Sequence, residues 1–194
     1  MATGSMLADT SQALASMVTV EPSPFTAEDF ERLITERVQR VQHLCGRKDT
    51  ARAVGERLDA LRSALIGRVL PTVVYHADLR SKHLQVTTEG KLLGMLDWGT
   101  CETAFLPYVD LLHLVLHQRK QEEGCLPSAA WSALLSAGPR DHEREALDAY
   151  SSRLGLDTEY RRAIEEAYPL LVAGMAERNW DYSRPQWLHR QYGI

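Results

Sequence analysis

The stretch Val73–Leu116, VVYHADLRSKHLQVTTEGKLLGMLDWGTCETAFLPYVDLLHLVL, decides how the rest of the chain is read. Short apolar runs alternate in it with polar clusters, and each cluster carries groups suited to phosphate or metal chemistry. Val73-Val74-Tyr75 predicts a buried strand that ends at His76-Ala77-Asp78-Leu79. His83 to Thr87 and Lys91 to Leu96 predict two further strands joined across Thr88-Glu89-Gly90, where glycine supplies the positive φ of a tight turn. The second of these ends at Asp97-Trp98-Gly99. A hairpin of this kind brings two strand ends, and with them Asp78 and Asp97, towards one rim.

This order of residues resembles the catalytic core of the aminoglycoside phosphotransferase and choline kinase group, the small-molecule branch of the protein-kinase-like fold. That group carries an HxDLxxxxN loop, a hairpin and then a second aspartate, commonly followed by tryptophan. The match here is His76, Asp78 and Leu79, then Asp97-Trp98, then Pro107 and Asp110 in PYVDLL. The resemblance implies an α+β, mainly helical fold: a protein-kinase-like C-lobe whose small β-hairpin carries the catalytic and metal-binding loops. It makes Asp78 the base that orients and deprotonates an acceptor hydroxyl, and Asp97 the magnesium ligand that serves the phosphates of ATP or GTP. Arg80 stands where protein kinases often place a lysine and would offset charge on the transferred phosphoryl group. His76 would brace the loop by hydrogen bonding, and Asp110 would steady it as a structural acid.

One position departs from the pattern. The asparagine of the group, a metal ligand, is replaced by His83. Magnesium prefers oxygen ligands, whereas imidazole suits transition ions. Three consequences are open: Asp97 and phosphate oxygens hold the ion alone, manganese replaces magnesium beside His83 and Asp97, or catalysis has been lost. Retained binding with an altered metal geometry is the expectation.

Before Val73 there is no GxGxxG, no strand-rich run and no VAIK-like lysine, so the expectation is a C-lobe without its N-lobe, completed by a separate N-lobe-like chain or by a missing segment. The implied partners are a nucleotide and a hydroxyl-bearing small-molecule or peptide acceptor. The alternative is a catalytically inactive, pseudokinase-type binding or regulatory protein that works with a partner chain. An unrelated two-metal hydrolase would explain Asp78 and Asp97 but not the ordered motif.

Composition narrows the classes. The 194 residues suffice for one domain with a core, and 44% hydrophobic with 25% charged residues describe a soluble globular protein. A net charge of −4 argues against a broad nucleic-acid-binding surface, which draws its affinity from basic residues. Cys45, Cys101 and Cys125 form no zinc or CxxC pattern and read as reduced thiols. No apolar run reaches the roughly 20 residues needed to span a bilayer. The opening MATGSMLADTSQ lacks the features of a signal peptide, so the expected location is cytoplasmic.

Around the core, residues 1–24 are expected to be a flexible N-terminal segment and 25–194 a single C-lobe domain. Thr26 with Asp29 predicts a capping box opening an amphipathic helix to about residue 44, with Phe30, Leu33, Ile34, Val38, Val41 and Leu44 on its apolar face. Val54, Leu58, Leu61, Leu65 and Val69 predict a second helix ending before Pro71. Pro107 is placed at the start of a third helix, on which His113 and His117 stand four apart; the first expectation for them is ordinary packing or surface placement, and the second a metal gripped from one helix face. Helices follow over Ser128–Leu135, Asp141–Leu154 and from Asp157 or Thr158 onward, with Pro169 inside the last. Glu143, Glu145, Asp148, Glu165 and Glu166 read first as solvated faces and second as acidic groups for a cationic acceptor. The terminal aromatics Trp180, Tyr182, Trp187 and Tyr192 read as packing anchors.

Overall fold

The computed structural model describes residues 2–39 and 48–176. The chain forms two compact units, one of residues 1–22 and 71–157, the other of 23–70 and 158–194. His76, Asp78, Arg80, His83, Asp97 and Asp110 all lie in the first.

That unit is built around a buried helix, α4 (Val109–Glu123). Helix α1 (Ala2–Ala15) and strand β1 (Val18–Pro24) come first. They replace the flexible segment expected over residues 1–24. Met6, Leu7, Leu14 and Ala15 are buried at helical spacing, and α1 packs on α6 (Asp141–Leu154). Two of the small polar residues that suggest a solvated lead-in, Thr10 and Ser11, are buried too, because the helix and its neighbour satisfy their hydroxyls. Thr10 Oγ1 donates to the Met6 carbonyl (2.7 Å) and Ser11 Oγ to that of Ala146 (3.0 Å).

Strand β2 (Val69–Tyr75) is the middle strand of a sheet ordered β1-β2-β5, with β5 spanning Glu102–Phe105. Sequence periodicity gave Val69 to a helix and did not anticipate β5. β2 and β5 run antiparallel with Val73 opposite Phe105 and Tyr75 opposite Glu102, and the Tyr75 and Phe105 rings stack at 4.3 Å. Pro71 is tolerated in a middle strand because it precedes the part of β2 that registers with β5. The expected hairpin forms from β3 (Leu84–Val86) and β4 (Leu92–Met95), with Leu84 opposite Met95 and Gly90 at φ +85°. Helix α1 also braces it, since the Leu92 N–H donates to Asp9 Oδ2 (3.0 Å).

Helix α4 (Val109–Glu123) starts two residues after Pro107, from Tyr108 in the left-handed region at φ +79°. Its first eight residues are all buried, which places it at the centre of the unit rather than on a face. Helix α5 (Pro127–Ala137) packs on it, and the buried Arg119 of α4 pairs with Glu143 of α6 through Nε (2.8 and 3.0 Å) and Nη2. Glu143 is therefore an internal ion-pair partner, unavailable to a cationic acceptor.

In the second unit, Thr26 and Asp29 form the expected capping box: the Asp29 N–H donates to Thr26 Oγ1 (3.1 Å) and the Thr26 N–H to Asp29 Oδ2 (3.0 Å). It opens α2 (Ala27–Phe30), which continues through a π turn over Glu31–Thr35 and helical residues 36–39. Phe30, Leu33, Ile34 and Val38 are buried as expected; Val41 and Leu44 lie outside the described residues. Helix α3 (Lys48–Leu65) buries Val54, Leu61 and Leu65 and packs on α7 (Thr158–Ala176), which continues through Pro169. Gly67, at φ +86°, ends the run after α3, so the four-residue spacing from Leu65 to Val69 is not helical continuity. Trp180, Tyr182, Trp187, Tyr192 and Cys45 lie outside the described residues. No helix among the described residues is long and apolar enough to cross a membrane.

Leu7 is fully buried on α1. Its replacement by alanine is expected to destabilise the protein by about 2–5 kcal/mol, the usual cost of emptying a core leucine site. Urea unfolding measures it, and a cost below about 0.5 kcal/mol, typical of exposed positions, would contradict the packing of α1.

Candidate active site

The site is assembled from the end of β2, the end of β4 and the first turns of α4. Asp110, in the first turn of α4, is buried, and its carboxylate faces the chain leaving β2. The His76 N–H donates to Asp110 Oδ2 (2.6 Å) and the Ala77 N–H to Oδ1 (3.1 Å). These bonds hold Ala77 at φ +70°, a region that costs an alanine roughly 1–2 kcal/mol. Thr100 Oγ1 donates to the His76 carbonyl (3.2 Å) from the other side. Burial pushes the Asp110 pKa from 3.8 up to about 7; the two N–H donors oppose that rise, and the nearby charges of Asp78 and Glu102 add to it.

With the backbone turned this way, His76 enters a layer of rings. Its Nε2 hydrogen-bonds the Leu96 carbonyl (2.8 Å), so that nitrogen carries the proton. Its ring stacks on His83 (5.6 Å between centroids) and meets Trp98 at 4.7 Å. Burial lowers the His76 pKa below its ordinary 6.5, which keeps it neutral at neutral pH. Trp98 Nε1 donates to the Met95 carbonyl (2.9 Å), locking the ring at the end of β4.

His83 closes a one-turn 3₁₀ segment, Ser81–His83, and links the two expected aspartates. Its Nδ1 hydrogen-bonds the Asp78 backbone carbonyl (2.7 Å), and its Nε2 stands 3.4 Å from Asp97 Oδ2. The Leu96 N–H donates to the His83 carbonyl (2.8 Å), tying this turn to the strand that delivers Asp97. Asp97 is a left-handed residue at φ +64° with a side chain 67% exposed, whereas that of Asp78 is 20% exposed. Arg80 holds Asp78 Oδ1 with Nε (2.6 Å) and Nη2. His76, Asp78, Arg80, His83 and Asp97 thus come together in one cluster.

His113 joins them, with Nε2 3.8 Å from Asp78 Oδ1. Sequence reasoning placed it on a packing face, and nothing in its spacing marks it as a neighbour of Asp78; only the direction of α4 does. Burial, then His117 and Arg80, lowers its pKa to about 3, and burial with Arg80 and Lys120 lowers that of His117 to about 4. Both are neutral imidazoles at pH 7.

No three metal-ligating side chains cluster among the described residues. What the cluster offers a metal is one exposed carboxylate, Asp97, and one imidazole nitrogen, His83 Nε2, which has no hydrogen-bond partner among the described residues. The pair fits a divalent ion as two of its ligands, with the remaining positions left to phosphate oxygens and water. An all-oxygen magnesium shell would use Asp97 alone.

The model of the phosphotransferase enzyme family (APH) matches residues 2–163, most of the chain and all of the cluster. The chain belongs to that family. Membership carries phosphotransferase chemistry of the kinase type in general, and with it a nucleotide donor and an acceptor. No curated protein matches the chain. The family match also spans α1.

Asp110→Asn resembles the protonated acid, with one oxygen left to accept an N–H, so at pH 5, where Asp110 holds its proton, it is expected to cost less than about 1 kcal/mol. Because the folded Asp110 pKa is raised from 3.8 to about 7, the folded protein keeps a proton that the unfolded chain releases. The Asp110 contribution is full below about pH 4 and declines as pH rises through about 7. Unfolding free energies measured across this range should show the parent losing stability that the Asn variant does not lose; parallel curves would contradict it.

Proposed function

We propose that this chain transfers the terminal phosphoryl group of ATP or GTP to a hydroxyl of a small molecule or peptide. The observation that supports this most is that His83 joins the Asp78 backbone to the Asp97 carboxylate, so that both acids of the family motif belong to one cluster. Asp78 takes the proton of the acceptor hydroxyl. The hydroxyl oxygen bonds to the terminal phosphorus, the bond from that phosphorus to the bridging oxygen breaks, and the nucleoside diphosphate leaves with the electron pair. Phosphoryl transfer asks mainly for position and charge from the protein.

Arg80 supplies the positive charge. Held on Asp78 Oδ1 in the free protein, it turns towards the phosphoryl oxygens when nucleotide enters. His76 braces the loop and His113 limits the rotation of Asp78. Asp97, with His83 beside it, holds the divalent ion, which when bound neutralises phosphate charge. A second reading, a pseudokinase-type regulatory protein, draws on the Arg80–Asp78 pair, which occupies an oxygen of the base, and on His83 in the asparagine position.

Nucleotide turnover against a panel of hydroxyl acceptors, followed by ³¹P NMR, tests the assignment. Asp78→Asn should lower kcat by about 10²–10⁴ while nucleotide affinity changes little. Equal turnover by parent and variant removes Asp78 as the base, and nucleotide binding with no turnover on any acceptor favours the regulatory reading.

A further inference from the structure

We infer that the His83–Asp97 pair selects a first-row divalent transition ion, such as manganese, over magnesium. This rests on the reading of Asp97 as the ion-binding acid and deepens it. The argument starts from the tautomer. The Asp78 carbonyl can only accept a hydrogen bond, so the Nδ1 of His83, 2.7 Å away, carries the proton. In a neutral imidazole the other nitrogen, Nε2, then presents a lone pair.

That lone pair faces Asp97 Oδ2 at 3.4 Å. Two electron-rich atoms held so close repel unless a cation lies between them. His83 cannot turn away: it is buried, stacked on His76 and fixed at Nδ1. Asp97 is exposed and is set in the left-handed region by its backbone, which an aspartate tolerates better than most residues. One ligand is rigid and internal, and the other is aimed at it from solvent.

The separation suits an ion. At 3.4 Å apart, the nitrogen and the oxygen are close enough for one divalent cation to be shared between them. Imidazole nitrogen is a good ligand for transition ions and a poor one for magnesium, which keeps an oxygen shell. Two protein ligands with no third among the described residues leave most of the coordination sphere open. The ion is accordingly held weakly by the protein alone and more firmly with nucleotide oxygens present.

The test uses the full chain with Mn²⁺, read by loss of the free-ion EPR signal, with and without a non-hydrolysable nucleotide and with Mg²⁺ as competitor. Mn²⁺ should bind at least about tenfold more tightly than Mg²⁺, and paramagnetic broadening should reach the His83 imidazole signals first. His83→Asn, whose amide can still donate to the Asp78 carbonyl, should bring the two ions to within about threefold. Asp97→Asn, at an exposed position, should weaken both; circular dichroism of each variant confirms folding. Equal affinity of the parent for the two ions overturns the inference. So does a His83 Nε2–H signal that persists in saturating Mn²⁺, since the cation between the two groups is then a proton. If selectivity is absent but Mg²⁺ supports turnover, only this inference falls. If Mn²⁺ binds at His83 but no acceptor is phosphorylated with either ion, the phosphotransfer assignment falls and the ion site stands.

Discussion

Two backbone N–H groups, those of His76 and Ala77, end on the buried carboxylate of Asp110, and the shape of the site follows from that contact. An alanine does not hold a left-handed backbone without compensation, and the compensation comes from a carboxylate that burial has made short of partners. The turn at Ala77 then decides where the next residue, Asp78, stands. Because Asp110 and His113 lie one turn apart on α4, the helix that bends the loop also lays an imidazole beside the acid the loop presents. Rigidity in α4 is therefore a condition of the site, and its complete burial over the first two turns supplies it.

The second constraint is the layer of stacked rings. His76 and His83 stack between the end of β2 and the end of β4, each fixed by a bond to a backbone carbonyl, that of Leu96 for one and of Asp78 for the other. Carbonyls only accept, so each contact fixes which ring nitrogen bears the proton as well as the ring's orientation. Hairpin and loop are locked together through these rings and through the Leu96 N–H on the His83 carbonyl. An asparagine at position 83 could make the bond to Asp78 but not the stack on His76, so the histidine changes both the metal chemistry and the mechanics of this corner.

Charge is distributed unevenly across the cluster. Asp78 is mostly buried and tied to Arg80, while Asp97 is open to solvent with the His83 Nε2 3.4 Å from its Oδ2. Neutral His76, His113 and His117 add no positive charge, which leaves Arg80 as the cation held against the Asp78 carboxylate. Such an arrangement stores one acid as an internal pair and offers the other for coordination. It distinguishes two carboxylates that look alike in the sequence.

Local chemistry was enough to read the hairpin, the Thr26 capping box, most of the helices and the set of motif residues, because each depends on neighbours close in sequence: a glycine at positive φ, a hydroxyl three residues before a carboxylate, an apolar stripe of period 3.6. The helix at the N-terminus was hidden because Thr10 and Ser11 look solvated until their hydroxyls are seen bonded to carbonyls of Met6 and Ala146. Strand β5 was hidden because four residues with no alternation become a strand only when β2 lies beside them. His113 beside Asp78, Glu143 spent on Arg119, and the 3.4 Å between His83 and Asp97 belong to the same class. The residue types were written in the chain; which of them face each other was settled by the packing of α4 and the two strand ends, since distances between residues far apart in sequence are fixed only when the core closes.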